Sequence, residues 1–93
     1  MGIWVTKDGA AAAFVAAWNQ LAADTASDFP GATAVLLRDR DDPNRFVSVG
    51  PWESAEQIDA WRASDAFQRG VGRIRETLES FTPATLDVVT RID

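Results

Sequence analysis

The period of the apolar residues switches back and forth along this chain, and the order of the switches constrains its fold more than any other feature. Gly2-Ile-Trp-Val-Thr-Lys7 alternates and is rich in β-branched and aromatic residues, which reads as a strand. Asp8 is placed to cap a helix and Gly9 marks a turn. Ala10 to Ser27 then takes a helical period, with Phe14, Trp18 and Leu21 in one stripe, Val15 and Ala22 beside it, and a run of alanines of high helix propensity. Phe29-Pro30-Gly31 breaks that helix. Ala32 to Arg38 reads as a second strand, Asp39 to Asn44 as a polar turn, and Arg45 to Trp52 as a third strand antiparallel to the second. Ser54-Ala-Glu-Gln57 has the form of a capping box opening a short helix with Ile58 and Trp61 inward. Ser64-Asp65 caps a further helix, in which Phe67, Val71, Ile74, Leu78 and Phe81 recur at alternating helical spacings until Pro83; Thr85 to Thr90 reads as the last strand.

The order β-α-β-β-α-β is that of the ferredoxin-like α+β fold, a four-stranded antiparallel sheet with helices on one face. The chain has 93 residues, so residues 1–93 make one domain, within the about 50–200 residues of a single core. A sheet covered on one face should be polar on the other in a monomer. Here Ala32-Thr-Ala-Val-Leu-Leu37 is apolar on both sides, Val47 and Val49 lie opposite Phe46, Ser48, Gly50 and Trp52, and Trp4 alternates with Ile3 and Val5. Two apolar faces need two covers, and the simplest second cover is another copy of the sheet, giving a homodimer.

Composition then removes whole classes of chemistry. The chain has no Cys, no His and no Tyr. That excludes disulfides, thiolate nucleophiles, Cys-bound zinc, Ser-His-Asp and Cys-His catalysis, and the usual proximal haem ligand. The formal net charge of −5 repels a phosphate backbone or an anionic membrane, so neither nucleic acid nor membrane is an expected partner. The apolar stretch near the N-terminus lacks the basic start of a signal peptide, and Phe14, Trp18 and Leu21 give it helical spacing instead; the expected location is cytoplasmic. Asp39, Asp41 and Asp42 lack the spacing and glycine of a calcium loop and read as turn chemistry, so no metal site is expected.

Four Trp are dense for this length. Trp4, Trp52 and Trp61, with Phe46 and Phe67, converge between sheet and helices. They make either a packed core or the walls of a pocket for a flat aromatic ligand, with indole N–H groups as donors. Ser48 and Trp52, four apart on one strand, point to the helix side; the serine is either a ligand contact or a small residue making room for a ring. Arg73 stands one residue before Ile74 on the apolar stripe, where it either flanks the cleft and binds an anionic oxygen or lies on a solvated helix face.

Three segments carry a resemblance: Pro30-Gly-Ala32, Phe46-Val-Ser-Val-Gly-Pro-Trp-Glu-Ser54 and Trp61-Arg-Ala-Ser-Asp-Ala-Phe67. With them the chain resembles the antibiotic biosynthesis monooxygenase family, bacterial ferredoxin-like proteins of the dimeric α/β barrel superfamily. The resemblance implies a homodimer whose sheets pair into a barrel, with a cleft in each subunit between sheet and helices. It implies an oxygenase that uses no metal, flavin or haem and lets an ionised aromatic substrate react directly with O2. Trp52 matches a Trp of those enzymes, Ser48 stands where they carry Asn, and Arg73 aligns with an Arg of the last helix. The haem-degrading branch needs a His at the position of Val71, which argues against haem breakdown. The expected activity is therefore monooxygenation of a small phenol, quinol or polyketide-type substrate, with Trp52, Arg73 and Ser48 catalytic and Trp4, Phe46, Trp61 and Phe67 binding. The alternative is a non-catalytic ligand-binding dimer of the same fold; an open cleft with converging polar groups favours the enzyme, a filled one the binding protein.

Overall fold

The computed structural model describes residues 1–52 and 54–92; Glu53, part of the Trp-Glu-Ser motif, and Asp93 lie outside the described residues. Seven elements run in order: β1 (Gly2–Thr6), α1 (Ala11–Asp28), β2 (Val35–Arg38), β3 (Arg45–Val49), α2 (Ala55–Ala63), α3 (Asp65–Arg75) and β4 (Leu78–Pro83). The strands form one antiparallel sheet in the order β2-β3-β1-β4. This is the ferredoxin-like arrangement the periodicity predicts, with β1 and β3 central.

The core lies between sheet and helices. Phe14 and Leu21 of α1 and Val71 and Ile74 of α3 are buried against Trp4 of β1 and Phe46 of β3. The two long helices approach closely at Gly70, where a Cβ would stand 2.7 Å from Leu21 Cδ1. Capping fixes the helix starts in the α2–α3 region. Ser54 Oγ accepts from Gln57 N at 3.2 Å, and Ser64 Oγ accepts from Phe67 N at 3.2 Å while donating to the Trp61 carbonyl at 2.6 Å. The extended backbone of Ser64 separates α2 from α3. Asp8 does not cap α1. Its carboxylate accepts from Asn44 Nδ2 at 2.8 Å, which ties the β1–α1 turn to the β2–β3 loop, and Gly9 makes the turn at φ 80°. That loop is held by Asx turns, as its aspartates suggest: Asp39 accepts from Asp41 N at 2.8 Å and Asp42 from Asn44 N at 2.9 Å. The Asp41 N–H, and after it the Arg45 guanidinium at 3.1 Å, hold the Asp39 carboxyl below its ordinary range.

Three expectations are corrected. The last helix stops at Arg75 rather than running to Phe81, because Thr77 closes it: its N–H and its hydroxyl both bond the Ile74 carbonyl, at 2.9 and 2.6 Å. Leu78 to Pro83 then pairs with the free edge of β1. Leu78 lies opposite Thr6 and Phe81 opposite Trp4, with a bulge between Val5 and Thr6. The extra residue of the bulge lets two side chains three apart share the inner face, so a helical spacing is satisfied by a strand. Residues 85–90 consequently carry no strand; pairing ends where Ala84 N donates to the Met1 carbonyl at 2.8 Å. Finally, β3 ends at Val49, so Trp52 comes after the strand rather than belonging to it.

The face turned away from the helices carries Ile3, Val5, Val35, Leu37, Val47 and Val49, by alternation with Trp4, Phe46 and Ser48. Val35, Leu37 and Val49 are about half exposed, at 55%, 51% and 46%. No helix among the described residues is long and apolar enough to cross a membrane.

Candidate functional site

A cavity of about 720 Å³ opens between the sheet and the helices. Its sheet wall comes from β1, β3 and β4. β1 presents Trp4, which stacks on Phe81 of β4 with centroids 4.0 Å apart and 20° between planes. β3 presents Ser48, whose Oγ accepts from Trp4 Nε1 at 2.9 Å. The helix wall comes from α1 and α2. No residue of α2 is fully buried: its Ile58 and Trp61 line the cavity, and Trp61 also packs against the edge of the core. Trp61 Nε1 donates to Thr25 Oγ1 of α1 at 2.9 Å. An aromatic chain continues from there: Phe67 meets Trp61 edge-on at 4.6 Å, Trp52 lies tilted against Trp61 at 5.3 Å, and Phe29 meets Trp52 edge-on at 5.7 Å. Residues Ala84 to Val88 run along the rim.

The structure brings together five of the residues singled out from sequence: Ser48, Trp52, Trp4, Trp61 and Phe67 all line the cavity. Phe46 does not. It is 2% exposed, packed on Phe14 at 4.8 Å with the Arg38 guanidinium 5.0 Å from its ring, and belongs to the core beneath the site. Arg73 lies exposed on the last turn of α3 and is not among the lining residues; the arginine among them is Arg62, itself exposed, at the end of α2. The inward stripe of α3 is Ala66, Gly70, Val71 and Ile74, and a residue next to Ile74 is rotated out of it by the helical turn. Sequence reasoning also missed Phe81, assigned to a helix, and Thr25, whose hydroxyl finds its partner, Trp61, 36 residues further along the chain. A further difference concerns the donors. Of the three indole N–H groups that the sequence offers to a ligand, those of Trp4 and Trp61 are already bonded to hydroxyls, so the donors left for a ligand are the hydroxyl protons and the Trp52 indole N–H.

A cavity of this size admits a two- or three-ring aromatic molecule, and apolar walls with a few fixed polar groups are the ordinary character of a small-molecule site. Such walls hold a flat ring by stacking and exclude water. A family profile for antibiotic biosynthesis monooxygenases matches residues 3–73. The chain belongs to the antibiotic biosynthesis monooxygenase family. Solved structures share the fold. Protein SO0527 from Shewanella oneidensis is 29% identical, with 87% of this chain and 80% of that chain covered and a TM-score of 0.75. A crystal structure described as an antibiotic biosynthesis monooxygenase is 23% identical, with 96% and 95% covered and a TM-score of 0.83. SnoaB from Streptomyces nogalater, described as a cofactor-independent oxygenase, is 22% identical, with 96% and 93% covered and a TM-score of 0.74. The last two likenesses show the fold. No curated protein matches the chain. The family profile ends at residue 73, so β4, which supplies Phe81 to the site of this family member, lies beyond the matched segment.

Proposed function

We propose that this protein is a cofactor-independent monooxygenase that oxidises a small aromatic substrate, of phenol, quinol or polyketide type, with O2. The observation that carries the reading is the open cavity of about 720 Å³, with aromatic walls and with Ser48 and Thr25 among its lining residues. Trp52 and Trp61 hold the flat ring. Ser48, its hydroxyl oriented by Trp4, donates to the substrate oxygen on which charge gathers as the substrate ionises. Dry apolar walls strengthen that hydrogen bond. The proton leaves to water at the rim, where Arg62 offers an opposite charge to the anion. The carbanion then gives its electron pair to O2, one oxygen atom bonds to carbon, and the O–O bond breaks. For a ring CH2 oxidised to a carbonyl, one O2 is consumed and one water is released, so the balance needs no external reductant. Membership of the family and the likeness to an oxygenase described as cofactor-independent support this scheme. The proposed working form is a cytoplasmic homodimer in which the apolar outer faces of two sheets cover each other.

Oxygen uptake by chelator-treated protein with anthrone and quinol substrates tests the reading. Uptake is expected to persist with chelator and to fall about tenfold or more in Trp52→Phe and Ser48→Ala, as loss of a stacking surface or of a hydrogen bond to an anion predicts. Arg62→Ala should lower it and the exposed Arg73→Ala should leave it within about twofold. Absence of uptake across the panel, from folded protein, would replace the enzyme with a ligand-binding protein of the same fold.

A further inference from the structure

Two hydrogen bonds of one kind stand on facing walls of the cavity. On the sheet wall the Trp4 indole donates to Ser48 Oγ, and on the helix wall the Trp61 indole donates to Thr25 Oγ1, each at 2.9 Å. All four residues line the cavity. A hydroxyl has one proton and two lone pairs, so in each pair the indole occupies a lone pair and leaves the proton to be placed. Within a helix a threonine hydroxyl commonly back-bonds to the carbonyl four residues before it. Thr25 does not: among the described residues its side chain bonds Trp61 alone, although it is only 8% exposed. Its proton is thus free to meet a ligand in a dry site where an unmade hydrogen bond is costly.

We propose that Thr25 is a ligand-positioning residue whose hydroxyl donates to an oxygen on the edge of the aromatic ligand opposite the edge held by Ser48. The cavity then selects flat aromatic ligands with an oxygen on each of two opposite edges, as in para-quinones and their reduced forms. This rests on the cavity being the ligand site, as the proposed function has it, but not on turnover.

Calorimetric titration with 1,4-naphthoquinone, which has both oxygens, and with naphthalene, which has neither, separates recognition from packing. The native protein should bind the quinone more tightly than naphthalene. Thr25→Val, of nearly the same shape, should weaken the quinone about three- to tenfold, the worth of one hydrogen bond, and leave naphthalene within about twofold. Thr25→Ser should restore quinone binding. Equal weakening of both probes by Thr25→Val would make Thr25 a prop for Trp61 and overturn the proposal, as would an unchanged quinone affinity or a native protein that binds neither probe. A protein that shows the selective pattern yet consumes no O2 would retain this assignment and lose only the monooxygenase reading.

Discussion

Ser48 acts as part of a tight corner shared with Gly2, Trp4 and Phe81. A Cβ at Gly2 would stand 3.0 Å from Ser48 Oγ, from Trp4 Nε1 and from Phe81 Cε1. A methyl there would crowd all three side chains, which would each have to give by a few tenths of an ångström. Gly2→Ala is therefore expected to press the indole and the hydroxyl apart, costing about 1–3 kcal/mol of stability by overpacking and lowering oxygen uptake as well. Gly72→Ala is its control. Nothing lies within 4 Å of a Cβ at that exposed helical position, so alanine should instead stabilise by up to about 1 kcal/mol. Urea melts of the two variants should move in opposite directions; a shared direction would show that the corner at Gly2 is not tight in solution.

At the scale of elements, the sequence shows plainly whatever local chemistry decides. β1, α1 and the caps at Ser54 and Ser64 fall where alternation, stripe and capping residues place them. Local chemistry misleads where a tertiary partner decides. Leu78 and Phe81 continue the stripe of α3 in spacing, yet the unpaired edge of β1 takes them as a strand through a bulge that the sequence does not mark. The same exchange leaves residues 85–90 without a strand and puts Thr85 to Val88 along the cavity rim, with Leu86 and Val88 exposed. The site was legible in its aromatics, Trp4, Trp52, Trp61 and Phe67, because large rings on inward positions meet wherever sheet and helices meet. Its polar members were harder to read. Arg62 and Arg73 have the same chemistry, and only the break at Ser64, which turns α2 relative to α3, sets the first at the cavity and the second away from it.

For the whole molecule, the sheet has a helical cover on one side and Val35, Leu37 and Val49 half exposed on the other. In a chain this small that is a large apolar face for a monomer to leave in water. A dimer through this face is expected, and Leu37→Asp, exposed within one copy and so compatible with its fold, should convert a dimeric sedimentation mass to a monomeric one with the helical signal unchanged. A native protein that sediments as a monomer at micromolar concentration would contradict the paired-sheet assembly. The cavity lies on the opposite side of the sheet, so its central claim can be tested apart from assembly. The most direct test is turnover of an anthrone under ¹⁸O2 with chelator present, followed by mass spectrometry of the product. Direct attack of the substrate carbanion on O2 predicts a carbonyl carrying a single ¹⁸O atom derived from the gas, formed by the native protein and formed about tenfold or more slowly by Ser48→Ala and Trp52→Phe. Product oxygen derived from water, or the same labelled yield with and without protein, would contradict it.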